Sequence, residues 1–201
     1  FFAGELTIDG LDLMINGADL LRLALGECER TGVHPLMIWG TLLGCVRDGG
    51  FIRGDHDIDL GILETEWSRI PALRDAMLQH GFKVRIENAG KLSIFHPRHP
   101  HLFVDFDRVA RHRDGWAITN ADTDPARRFH YRFAQRVFDR SSARPFAGVG
   151  DVLVPADPEG FLTAVYGDWK TPQPKTDYLY GPLNLEVEVI PAGERTVGAS
   201  N

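Results

Sequence analysis

Aspartate recurs at every second position in the stretch RGDHDIDLGI (53–62), as Asp55, Asp57 and Asp59. Ile58 and Leu60 interleave with and follow the last two. Side chains two apart on a strand share a face. A strand here therefore sets Asp57 and Asp59 side by side and turns Ile58 and Leu60 toward a core. Neighbouring carboxylates repel unless a cation lies between them. A hard divalent ion takes oxygen ligands, and Mg²⁺ commonly uses one or two carboxylates together with substrate phosphates. The pair is thus a candidate metal clamp. The same letters also describe solvated aspartates in a loop ahead of a strand.

Two further stretches point to the same chemistry. In WGTLLG (39–44), Gly40 and Thr41 open an apolar run with helical spacing. A glycine and a hydroxyl at a helix start offer backbone N–H groups and a positive dipole end to a phosphate; an ordinary N-cap at Thr41 is the alternative. In FVDFD (103–107), a strand again carries two carboxylates on one face, Asp105 and Asp107. One of them completes a three-carboxylate site. Strand, Gly-Thr, helix, paired aspartates on a strand and a later strand aspartate together resemble the nucleotidyltransferase fold. Its chemistry is phosphoryl transfer, in which metal ions neutralise phosphate oxygens.

The segment WGTLLGCVRDGGFIRGDHDIDLGI (39–62) resembles the fukutin/LicD family, whose pattern runs G-[ST]-L-L-G-x-x-R, a short loop, then F-I-P-W-D-x-D-I-D. FVDF (103–106) resembles that family's later strand. VPADPEGFLTAVYGDWKTP (154–172) resembles its closing stretch, a helix running into Y-G-x-x-W-x-x-P. The resemblance implies a metal-dependent transferase that moves a phosphorylated alcohol from a CDP-activated donor onto a glycan or polysaccharide hydroxyl and releases CMP. Phosphocholine, ribitol phosphate and glycerol phosphate are cargoes of that kind. It implies Mg²⁺ (or Mn²⁺), held by Asp57, Asp59 and Asp105. Asp55 is a further ligand or the general base, with Asp107 the other candidate base. Gly40 and Thr41 contact donor phosphates, and Arg47 supports the site or pairs with phosphate. Asp168 and Trp169, beside Tyr166 and Gly167, buttress the pocket. The chain departs from the pattern at Arg53-Gly54, where the family has Pro-Trp; this adds a cation and removes a ring beside the site. The cysteine-bearing insertion of some animal members is missing, so no structural zinc is expected. Two other function classes share these residues: a nucleotidyltransferase passing NMP from an NTP to a small molecule or protein, and a non-catalytic glycan- or nucleotide-binding domain.

Other polar groups have blander readings. His96, His99 and His101 fit a metal trio or a solvated loop between prolines. Lys91 and Ser93 fit phosphate binding or a solvated strand face. His56 is expected to face opposite to Asp55 and Asp57 and so to stand outside the site. Residues 108–144 carry nine of the 22 Lys and Arg, against the carboxylates of Asp114, Asp122, Asp124 and Asp139. That basic region fits an anionic acceptor or a solvated face. Trp39 and Trp116 fit a core or pocket wall.

The elements that must position these groups are legible by periodicity. Helices are expected over 17–31, from Thr41, over 66–79 (with Pro71 giving a kink or a late start near Arg69) and over 157–167, capped by Asp157 and Gly167. Strands are expected over 35–39, 57–63, 82–87, 91–96, 101–110, 115–119 and 149–155. Asn88-Ala89-Gly90 reads as a hairpin turn. Residues 127–140 are ambiguous: arginines every four residues suit a helix, while Phe129, Tyr131 and Phe133 alternate as on a strand. Leu183 to Val189 alternate as an edge strand or tail. The expected fold class is α+β (mixed α/β), a central mixed sheet flanked by helices. A single domain is expected over 1–201, with its core at about 17–172 and a loop and tail over 173–201.

Bulk properties bound the function. The 201 residues suffice for a sizeable core, and the net charge of −6 argues against a nucleic-acid-coating surface. Cys28 and Cys45 lie in apolar segments and read as reduced, buried thiols. The longest nearly apolar run, Val33–Val46, is too short to span a bilayer and contains His34. No signal peptide is visible, and with cytosolic donor chemistry this gives a cytoplasmic expectation, either alone or within a larger glycan-synthesis protein.

Overall fold

The computed structural model describes residues 8–120, 126–171 and 182–191. Helix α1 (Ile8–Thr31) presents Leu13, Leu20, Leu21, Ala24 and Cys28 to the core and stops at Gly32, whose φ of +74° suits only a residue without Cβ. It begins earlier than the sequence expectation. Gly17 does not start the helix but lies within it, because Phe51 packs there; a Cβ at Gly17 would lie 2.9 Å from Phe51 Cε2.

A short strand β1 (Leu36–Met37) leads into α2 (Trp39–Arg47), then β2 (Asp57–Leu63). A 3-10 turn (Trp67–Arg69) precedes α3 (Ile70–Gln79), where Pro71 sits in the first turn. Its missing N–H has no partner to lose there, so the helix starts late rather than kinking. Strands β3 (Lys83–Glu87), β4 (Lys91–His96), β5 (His99–His112), β6 (Gly115–Asn120) and β7 (Arg127–Phe133) follow. Asn88 Oδ1 closes the β3–β4 turn by accepting from the Gly90 and Lys91 N–H groups at 2.8 and 2.9 Å. Strands β8 (Ser141–Phe146) and β9 (Gly150–Pro155) form a separate hairpin, of which only β9 was expected. Helix α4 (Pro158–Tyr166) is capped by the Asp157 side chain and ends at Gly167, φ +64°. Strand β10 (Leu185–Val189) closes the series.

Among the described residues, the main sheet has eight strands in the order β1-β2-β5-β6-β7-β10, with β4 on β5 and β3 on β4. β2 and β5 are parallel and the other pairs antiparallel, so the sheet is mixed, as expected. Residues 103–107 of β5 pair with β2 and β4 at once, so those two strands flank β5 on opposite edges. One face carries the fully buried Ile58, Leu60, Ile62, Leu92, Ile94, Val104 and Phe106. α1 lies against β5 and α3. The opposite face carries the aspartates.

Residues 127–140 resolve as strand and then a 3-10 turn (Gln135–Val137). The alternation prevails because Phe129, Tyr131 and Phe133 are buried while β7 pairs with both β6 and β10. Three arginines on this segment pair with carboxylates: Arg128 with Glu188, Arg132 with Glu186 and Asp114, and Arg136 with Asp157. Among the described residues, no helix is long and apolar enough to cross a membrane.

Candidate metal and phosphate site

The site is assembled by register. Asp59 of β2 stands directly opposite Asp105 of β5, which stands opposite Ser93 of β4. One step along, Asp107 stands opposite Gly61 and Lys91. Laterally paired residues share a face, so Asp57, Asp59, Asp105, Asp107, Ser93 and Lys91 form one polar patch on the face away from the apolar rows. Oxygens of Asp57, Asp59 and Asp105 all lie within 4.8 Å of one another. Asp59, Asp105 and Asp107 are buried, as is Asp55.

Burial, then the charges of Asp57, Asp55 and Asp105, push the Asp59 carboxyl well above the usual carboxylate range, with Lys91 opposing. A buried all-oxygen donor set under like-charge stress is the arrangement that a hard cation relieves, so these residues fit a divalent ion. Asp55, His56 and Asp57 form a second group with ligand atoms within the same limit. His56 is therefore grouped with these aspartates, against the expectation from strand alternation. The strand begins only at Asp57, so alternation does not govern the turn before it.

Lys91 and Ser93 are not a solvated face. Lys91 Nζ lies 2.7 Å from Asp105 Oδ2 and 3.1 Å from Asp107 Oδ1. Ser93 is fully buried, and its hydroxyl donates to Asp105 Oδ1 at 2.5 Å. Burial by itself would lower the Lys91 pKa, but Asp107, Asp105 and Asp59 outweigh it and hold the ammonium above the usual lysine range. Trp39 Nε1–H donates to Asp107 Oδ2 at 3.0 Å. Its ring is wedged against Tyr131, Phe133 and Phe161. Trp39 also has φ +45°, a left-handed conformation strained for a bulky residue, at the turn from β1 into α2. Trp39 is thus the core or wall residue expected and, beyond that, a hydrogen-bond donor to the carboxylate row.

That turn brings α2 onto the carboxylates. A Cβ at Gly40 would lie 2.4 Å from Asp55 Oδ2 and 3.6 Å from Asp59 Oδ2, so only glycine allows this approach. Thr41 is not an N-cap. Its buried Oγ1 accepts from the Asp59 backbone N–H at 2.9 Å, tying α2 to β2. A threonine hydroxyl keeps its own proton for a second partner. Arg47 lies at the far end of α2, about 10 Å along the axis from Gly40. It grips Asp48 through Nε and Nη2 at 2.9 and 2.7 Å, while Nη1 is buried without a partner.

The remaining expected residues separate. Trp169 is buried and donates from Nε1 to Thr163 Oγ1 at 3.2 Å, under α4, which itself packs on α2. Asp168 is exposed. Gly54 has φ +91°, and its Cα is so close to Gly10 that a Cβ on Gly10 would lie 2.7 Å from it. Glycine at 54 thus suits the left-handed backbone of the loop, and the close approach of that loop to α1 requires glycine at Gly10. His96 ends β4 and packs on Phe82, while His99 and His101 open β5 and His99 pairs with Asp12 of α1, so these histidines lie on strand ends rather than in the expected solvated loop. Cys28 and Cys45 are buried free thiols, as expected.

The mixed sheet, the α2 turn and the carboxylate row define a nucleotidyltransferase-type domain. Residues 32–157 match the family model described as LicD/FKTN/FKRP, nucleotidyltransferase domain, and the chain belongs to that family. An uncharacterized protein of Rickettsia prowazekii (strain Madrid E), RP689, is 24% identical over 151 residues, which is 75% of this chain and 52% of the relative. The chain therefore spans about half the length of the curated relative it matches. Among solved structures it is similar to ANT(2″)-Ia in complex with adenylyl-2″-tobramycin, with TM-score 0.47, 14% identity and coverage of 70% of this chain and 69% of that one. It is also similar to the lincomycin-bound lincosamide antibiotic adenylyltransferase LnuA, with TM-score 0.44, 16% identity and coverage of 82% and 90%.

Proposed function

We propose that this domain transfers a phosphorylated alcohol from a CDP-activated donor to a glycan hydroxyl, releasing CMP. The observation that carries this reading is the Asp57–Asp59–Asp105 group under the Gly40 turn, in a chain of the LicD/FKTN/FKRP family. Asp57, Asp59 and Asp105 would hold Mg²⁺ or Mn²⁺. When bound, that ion neutralises diphosphate oxygens and the developing charge on CMP. The backbone at Gly40 and Thr41 approaches the donor phosphates, and Arg47 braces the loop after α2 through Asp48.

The acceptor oxygen attacks the phosphorus nearer the alcohol. A new P–O bond forms, the P–O bond to CMP breaks, and CMP leaves with the electron pair. The acceptor proton passes to Asp55, a buried carboxylate beside the Gly40 turn, while Asp107 is held by the fixed ammonium of Lys91 and the Trp39 N–H. Trp169 holds α4 against α2, and Asp168 lies on the exposed side of the same turn.

The test is a thermal-shift screen of CDP-choline, CDP-ribitol, CDP-glycerol, ATP and CTP with Mg²⁺, followed by measurement of CMP release with a glycan acceptor. Stabilisation by one CDP-alcohol and acceptor-dependent CMP release are expected. Turnover that survives EDTA, or NMP transfer from an NTP with no response to any CDP-alcohol, overturns the proposal.

A further inference from the structure

The aspartate group contains a cation of its own. β4 and β2 lie on opposite edges of β5, so Lys91 reaches Asp105 from the side opposite Asp57 and Asp59. Its ammonium bridges Asp105 Oδ2 and Asp107 Oδ1. The other two oxygens are also engaged, Asp105 Oδ1 by Ser93 and Asp107 Oδ2 by Trp39. Each oxygen of the Asp105–Asp107 pair thus has a protein donor, and every donor is fixed. Lys91 has a largely buried side chain, Ser93 is wholly buried, and the Trp39 ring is wedged among three aromatic side chains.

Two carboxylates on alternate positions of one strand are themselves a possible divalent site, and β5 repeats on Asp105 and Asp107 the spacing that β2 has on Asp57 and Asp59. Among the described residues, the β5 pair alone has an ammonium across it. We infer that Lys91 fills the cation position between Asp105 and Asp107, so that no divalent ion binds there and Asp107 is a positioning residue rather than a ligand or base. This rests on the reading of Asp57, Asp59 and Asp105 as the metal site. The exclusion is geometric and electrostatic. Mg²⁺ requires oxygens at about 2.0–2.1 Å in near-octahedral array. These oxygens are instead turned to N–H and O–H donors, and a second cation would abut a fixed positive charge. Asp105 is then shared, facing the divalent ion on its β2 side and the ammonium on its β4 side. Lone pairs suffice, since an ionised carboxylate offers about four acceptor sites.

The test counts Mn²⁺ ions bound per chain, by calorimetry and by the free-Mn²⁺ electron paramagnetic resonance signal. Wild type, Lys91→Met and Lys91→Met/Asp107→Asn are compared. Lys91→Met is expected to take up one more Mn²⁺ than wild type, and the double variant to lose that extra ion. Equal uptake by wild type and folded Lys91→Met overturns the inference while leaving the metal site standing. No Mn²⁺ uptake by wild type overturns both. Should Lys91→Met fail to fold, the wild type decides the matter by NMR. The coupling across the hydrogen bond between the Lys91 ¹⁵Nζ and the Asp107 ¹³Cγ is expected to persist at saturating Mg²⁺. Its loss means that the ion has displaced the ammonium, which overturns the inference.

Discussion

Asp59 on β2 and Asp105 on β5 are direct register partners across the one parallel pair of the described sheet. Two buried carboxylates therefore face each other at the distance of neighbouring strands, with Asp57 beside them. Lys91 and Ser93 both act on Asp105 from the β4 side against this concentration of charge.

Replacing Asp59 by Asn should therefore separate stability from activity. The metal-free variant should melt higher than the metal-free wild type, because a buried charge beside three like charges is removed. Saturating Mg²⁺ should raise the wild-type melting temperature, by about 2.7 kcal/mol of stability at a hundredfold excess over Kd. It should leave Asp59→Asn nearly unmoved, with turnover at background. Melting curves in EDTA and in Mg²⁺ check this; wild-type turnover in the variant would remove Asp59 from the site.

The Thr41 hydroxyl is the acceptor for a buried backbone N–H. Thr41→Val keeps the shape and deletes that acceptor, which should destabilise the fold by about 1–3 kcal/mol. Thr41→Ser should recover most of the loss. Urea denaturation of the three proteins measures the difference.

Gly40→Ala would bring a methyl group against Asp55 Oδ2. The carboxylate or the α2 turn must shift, and a misplacement near 1 Å lowers turnover by about a hundredfold. Circular dichroism should show a folded protein. Unchanged kcat in a folded Gly40→Ala protein would show that this close approach is not used.

Asp157 caps α4 by accepting from the Gly160 N–H at 2.8 Å, and it also pairs with Arg136. Asp157→Ala should destabilise the protein by about 1 kcal/mol and leave kcat unchanged. Arg136 foremost, with the Gly160 N–H assisting, holds the Asp157 carboxyl below the usual range. A carboxyl depressed in the folded state stabilises above its unfolded pKa and loses that contribution as pH falls through the folded value. The gap between wild type and variant should therefore be full at neutral pH and close in acid. Denaturant midpoints across pH report it.

Local spacing determined much of this protein. The alternation of Asp57 to Leu63, the Asn88-Ala89-Gly90 turn, the Asp157 and Gly167 caps and the Pro71 start each depend on neighbours within one element, and each appears as expected. The family motifs are also contiguous stretches, so the candidate carboxylates could be read before any fold was known. Tertiary structure decided what those carboxylates meet. Lys91 and Ser93 reach Asp105 only through the β4–β5 register, Trp39 reaches Asp107 across 68 positions, and Gly10 on α1 answers to the Gly54 backbone. The strand character of Phe129 to Phe133 emerged only once β6 and β10 lay on either side of it. Periodicity tells each residue which face it occupies, but strand order and register are set by long-range packing, which no short window of sequence contains.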